Sequence, residues 1–162
     1  MLIWHDAYIG LGSNLDLPVD QLHQALKHLD ALPLTQRVAT SPFYGSRPVG
    51  PQDQPDFVNA CVRLKTALSP LALLDQLQSI EQRQQRVRIR HWGPRTLDLD
   101  LLLYDDKVMQ HPRLNLPHHE MHRRSFVLIP LLDIAPGLFH PTLGCPLQKL
   151  VTDELRGTLT RL

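Results

Sequence analysis

The spacing of apolar positions changes in a regular order along the chain. "AYIGLGS" predicts a short strand, and behind Pro18 the residues Val19, Leu22, Leu26, Leu29 and Leu32 recur at helical spacing. "LTQRVATSPFYGS", rich in β-branched and aromatic residues, predicts a second strand, and "DFVNACVRLKTA" alternates so that Val58, Ala60, Val62 and Leu64 share one face. Ser69 and Pro70 supply a cap and first turn for a helix that buries Leu71, Leu74, Leu77 and Ile80. A strand through "TLDLDLLLY" follows, with Leu97, Leu99, Leu101 and Leu103 on one side and Thr96, Asp98, Asp100 and Leu102 on the other.

The order βαββαβ is that of a ferredoxin-like α+β sandwich, in which helices cover one face of an antiparallel sheet and the other face is free for ligands. Beyond Tyr104 frequent prolines predict an irregular C-terminal extension carrying one short helix in "SFVLIPLLDIA". The "SRPVGPQDQPD" stretch can neither pair well nor coil, so it reads as a binding wall or lid.

Length and composition narrow the class. With 162 residues, 43% hydrophobic and 20% charged, the chain suits one globular domain spanning 1–162. A formal charge of +1 argues against a globally basic nucleic-acid binder. Cys61 and Cys145 are too few for a disulfide scaffold, and no basic-then-apolar leader or membrane-length apolar run is present. A cytoplasmic monomer without nucleic-acid or membrane partners is the expectation.

The aspartates then stand out. On one face of a strand Asp98 and Asp100 lie about 7 Å apart, and at an effective dielectric near 20 their repulsion is roughly 2.5 kcal/mol. They can simply face water. Nearby, however, "EQRQQRVRIRHW" places Arg83, Arg86, Arg88 and Arg90 against the single acid Glu81, and Arg95 precedes the strand. A carboxylate pair beside an arginine cluster suits a polyanion with a hard divalent cation between them, Mg²⁺ rather than zinc.

Other chemistries fit less well. The aromatic RNA-stacking pattern is absent from "DFVNACVR", "GLGSNL" continues wrongly for a dinucleotide fingerprint, and no GxxxxGK[ST] loop exists. "PHHEMHRR" is histidine-rich but is not HExxH.

Taken together, "GSNL", "PVGPQDQPDFVNA", "RVR", "WGPRTLDLDLLLY" and "LPHHEMHRRSFVL" resemble the hydroxymethyldihydropterin pyrophosphokinase family, from about residue 7 to residue 150. The resemblance implies an enzyme of folate biosynthesis, a Mg-dependent ATP diphosphotransferase that moves pyrophosphate from ATP to 6-hydroxymethyl-7,8-dihydropterin and releases AMP. It implies that Asp98 and Asp100 bind two Mg²⁺ ions with ATP, and that Arg86 and Arg95 are catalytic. It places ATP against Gln78, Glu81, Arg88, Trp92, Leu101, Arg113, Asn115, His118, His119 and Arg124. It places the pterin against Ser46, Val49, Phe57, Asn59, Trp92 and Phe126, where aromatic faces and an amide suit a flat heterocycle. The stretch from Arg88 to Trp92 is one residue shorter than the family pattern, and His119 stands where Tyr is common.

Overall fold

The structure, a computed structural model, describes residues 1–15, 17–47, 56–86 and 96–162, the Arg86 side chain excepted. The expected walls at 46–54 and 84–93 fall largely outside the described residues, as do Val49, Arg88, Trp92 and Arg95.

In chain order the elements are β1 (His5–Ser13), α1 (Pro18–Asp30), β2 (Thr35–Thr40), β3 (Tyr44–Ser46), β4 (Phe57–Thr66), α2 (Pro70–Arg86) and β5 (Leu97–Tyr104). Then come β6 (Met109–His111), β7 (Leu114–Leu116), a 3₁₀ turn (Met121–Arg123), α3 (Ser125–Ile134), β8 (Phe139–His140), β9 (Cys145–Pro146), a second 3₁₀ turn (Leu147–Leu150), α4 (Asp153–Arg156) and β10 (Leu159–Arg161). The main sheet is antiparallel and runs β10, β3, β4, β1, β5, with β2 also pairing β4. Among the described residues the fold is therefore a mixed α/β one, an antiparallel sheet with four α-helices.

Two helices cover one face for the reason their spacing indicates. Leu22, Ala25, Leu26 and Leu29 of α1 and Leu73, Leu74, Leu77 and Ile80 of α2 pack on Ile9, Leu11, Val58, Ala60, Val62, Leu64, Leu97 and Leu99. Burying each such leucine contributes roughly 1.5–3 kcal/mol. Ser69 caps α2, its Oγ accepting from the Ala72 N–H at 3.2 Å. Val19, expected on the buried stripe, is 38% exposed, and Leu32 is buried only after α1 has ended. Likewise Leu71 is partly buried while Leu73 is fully enclosed, so the buried stripe on α2 begins at Leu73 and otherwise runs through Leu74, Leu77 and Ile80 as expected.

Three further expectations are corrected. The stretch 34–46 is two strands, since Pro42 lacks the N–H that a continuous ladder needs. Leu103 does not face α1 and α2: Tyr8 pairs Leu103 but Ile9 pairs Leu101, so Leu102 is a bulge and the strand's phase reverses after it. Leu102 and Leu103 join Tyr8 and Cys61 in a second core under Val127, Leu128 and Leu131 of α3. The second sheet face is thus partly covered by α3, and a cavity remains beside it near Asn59, Asp98 and Asp100. Finally, the C-terminal extension is less irregular than its prolines suggest. It contributes two small hairpins, and β10 extends the main sheet by pairing β3.

Candidate active site

The central strand β1 sets the site. Gly12 lies opposite Asn59 of β4 on one side and opposite Asp98 of β5 on the other, and Gly10 lies between Cys61 and Asp100. Period 2 therefore puts Phe57, Asn59, Asp98 and Asp100 on one face, with glycines between them where side chains would fill the floor. A cavity of about 220 Å³ results, lined by these residues and by Gly10, Gly12, Ser46, Arg47, Arg124, Phe126 and Val127 among others. A Cβ on Gly12 would lie 2.9 Å from Asn59 Nδ2. The glycine is what lets the amide lie across the strand.

Several of the polar groups are held by neighbours. Ser46 Oγ donates to Asn59 Oδ1 at 2.6 Å, fixing the amide so that its NH₂ remains for a ligand. Thr96 Oγ1 donates to Asp98 Oδ2 at 2.9 Å. Asn14, 1% exposed, anchors the start of β5, its N–H donating to Thr96 O at 3.2 Å and its Oδ1 accepting from Thr96 N at 2.8 Å. Arg124 reaches the mouth of the cavity with its guanidinium 5.6 Å from the Phe126 ring centre.

Burial raises both aspartate carboxyls above the ordinary range. The Thr96 hydrogen bond eases Asp98, and the Arg124 charge eases both without cancelling the rise. Glu81 is raised to about 7, first by burial and then by the two aspartates, although it accepts from the Leu99 N–H at 2.7 Å. His118 is lowered to about 4, by burial and then by Arg124. It is neutral at pH 7, and because its Nδ1 accepts from the Glu120 N–H at 3.2 Å, the proton sits on Nε2.

Of the expected nucleotide residues that are described, Arg124 lines this cavity, whereas Gln78, Glu81, Arg113, Asn115, His118 and His119 do not. Arg113 binds Asp75 at 2.5 Å and Gln78 Oε1 at 3.0 Å. His118 and His119 stack with ring centres 5.1 Å apart and line a second hollow with Asn115. The Leu101 side chain is in the core, 2% exposed, so any ligand contact there falls to its backbone.

Gly10, Gly12, Arg47 and Val127 were not anticipated in the pocket, nor Asn14 as its brace. Two glycines inside one strand are the available signal, since a strand interior keeps glycine where something approaches the backbone closely. Arg47 and Val127 carry no such mark.

What the fold and pocket define is a cavity that brings two aromatic rings and an amide together with a carboxylate pair. Residues 8–136 match the model of the family 7,8-dihydro-6-hydroxymethylpterin-pyrophosphokinase (HPPK). The chain is 58% identical over 135 residues to a 2-amino-4-hydroxy-6-hydroxymethyldihydropteridine pyrophosphokinase of Haemophilus influenzae, covering 83% of this chain and 84% of that one. It is 54% identical over 134 residues to the protein of the same name from Pseudomonas aeruginosa, covering 83% of each. Its fold resembles a solved Plasmodium falciparum HPPK-DHPS triple mutant, with a TM-score of 0.77 at 15% identity over 99% of this chain and 47% of that one. This chain belongs to the HPPK family.

Proposed function

We propose that this chain catalyses transfer of the pyrophosphoryl group of ATP to the hydroxymethyl oxygen of 6-hydroxymethyl-7,8-dihydropterin, releasing AMP, in folate biosynthesis. A new bond forms between that oxygen and the β-phosphorus, the β-phosphorus bond to the oxygen bridging the α-phosphate breaks, AMP leaves with that oxygen, and the hydroxyl proton is released. The observation that carries the reading is the row Asn59, Gly12, Asp98, which puts a heterocycle-reading amide and a phosphate-side carboxylate in one cavity.

The residues fit Mg²⁺. Burial raises both carboxyls and Arg124 does not cancel it, so the ionised pair is under-compensated until a dication arrives. Two carboxylates suit an ion that takes its remaining oxygens from phosphates. Asp98 and Asp100 would hold two such ions with ATP, supplying charge neutralisation and alignment.

Around them Phe57 and Phe126, which line the cavity, offer aromatic faces to the pterin, and Asn59, held by Ser46, reads its edge. Arg124 offers charge to phosphate oxygens, and neutral His118 offers its Nε2–H. Arg86 and Arg95 fill the catalytic roles that the family pattern gives them. We further read the sheet order as ferredoxin-like, with 1–162 as one domain, and the protein as a cytoplasmic monomer. Among the described residues no helix is long and apolar enough to cross a membrane.

Incubation with ATP, Mg²⁺ and the pterin should yield AMP in step with pterin diphosphate. ADP in place of AMP would overturn the proposal.

A further inference from the structure

Among the described residues β5 is the last strand on its side of the sheet, and no described strand pairs with the groups on its outer side. Two of them are met by a helix. Gln85 Nε2 donates to Leu97 O at 3.0 Å, and Glu81 Oε2 accepts from Leu99 N at 2.7 Å. Leu97 and Leu99 flank Asp98. In a parallel ladder a single residue opposite Asp98 would make these same two bonds, donating to the carbonyl before it and accepting from the N–H after it. Glu81 and Gln85, one turn apart on α2, reproduce that donor and acceptor with side chains.

Resting on the pyrophosphoryl-transfer reading, we propose that Glu81 and Gln85 are positioning residues which hold the β5 backbone on both sides of Asp98 and so keep Asp98 and Asp100 aimed into the cavity. The inner side of the same stretch is held by β1, where Gly12 faces Asp98 and Gly10 faces Asp100. Asp98 is also gripped by Thr96. With β1 inside and α2 outside, the strand cannot rotate the carboxylates away without breaking bonds on both edges. What the positions require is hydrogen-bonding capacity: an acceptor at 81 and a donor at 85. The family resemblance alone would instead make Glu81 a lining group of the nucleotide pocket.

The two readings separate on the variants Glu81→Gln, Glu81→Leu and Gln85→Met in the full chain. Losing one such bond should raise the Mg²⁺ concentration for half-maximal AMP release about tenfold in Glu81→Leu and in Gln85→Met, with pterin affinity by calorimetry held within about twofold. Exchange of the Leu99 amide, followed by NMR without substrates, should quicken about tenfold in Glu81→Leu. Glu81→Gln, which keeps a carbonyl acceptor, should retain the Leu99 protection and about tenfold more activity than Glu81→Leu. Equal impairment of Glu81→Gln and Glu81→Leu would overturn the proposal in favour of a charge role at the nucleotide. So would unchanged Leu99 exchange in Glu81→Leu, or lowered thermal stability with no change in Mg²⁺ dependence. Absence of AMP from the wild type would instead overturn the transfer reading and the positioning role with it, and Leu99 exchange would still decide the edge contacts.

Discussion

Gly12 and Asn59 face each other across β1 and β4 so closely that a Cβ on Gly12 would stand 2.9 Å from Asn59 Nδ2. Gly12→Ala should therefore push the amide off its bond from Ser46 and out of line with the pterin edge. Overpacking of this kind costs about 1–3 kcal/mol. Pterin affinity should fall about tenfold or more, with ATP affinity within about twofold, as read by calorimetry. Unchanged pterin affinity would mean that Asn59 does not read the heterocycle.

Removing the amide itself tests the same contact from the other side. Asn59→Ala should weaken pterin binding by about 1–3 kcal/mol and spare ATP. Equal losses for both ligands would make Asn59 a structural group, which its 4% exposure and its bond to Ser46 would then explain.

The aspartates should trade stability for activity. Asp98→Asn or Asp100→Asn keeps the side chain's shape, removes a metal ligand and removes a carboxylate whose ionisation burial opposes. Turnover should drop at least about 100-fold. Thermal stability of the ligand-free protein at pH 7.5 should stay level or rise. Near-wild-type turnover in either variant would remove the metal assignment.

Glu81 gives a pH signature. Its carboxyl sits at about 7 against an ordinary 4.5, so between those values the folded protein keeps a proton that the unfolded chain has lost, and stability falls as pH rises. His118, lowered from 6.5 to about 4, acts oppositely: the unfolded chain binds its proton first, so that stability is lost as pH falls from 6.5 to about 4. Glu81→Gln removes only the first effect. Its stability relative to wild type should climb between about pH 4.5 and 7 and level off above, in urea unfolding of ligand-free protein. A constant difference across that range would contradict the burial of a protonated Glu81.

These features differ in how far the sequence discloses them. Strict alternation in "FVNACVRL" and "LDLD" makes the faces of β4 and β5 readable, so Phe57, Asn59, Asp98 and Asp100 could be grouped before any coordinates. The reversal at Leu102 could not, because "LLLY" is apolar on both sides of the strand and only the pairing with Tyr8 and Ile9 reveals the extra residue. The pairing of β10 with β3 joins segments more than a hundred residues apart, and three-residue strands leave no periodic trace. Asn14 sits in a motif that carries the family resemblance, yet its bonds to Thr96 depend on two loops meeting in space. Arg124 and His118 were reachable by resemblance alone, since nothing in the pattern of "PHHEMHRR" sets one histidine or arginine apart from its neighbours.

In the proposed reaction the new bond is made to the β-phosphorus. ATP labelled at that phosphorus, incubated with Mg²⁺, the protein and hydroxymethyldihydropterin, decides it by following the label alone. The expected result is label in the pterin product, attached as a diphosphate, with unlabelled AMP formed in equal amount. Label recovered in ADP, with a monophosphorylated pterin or none, would contradict it.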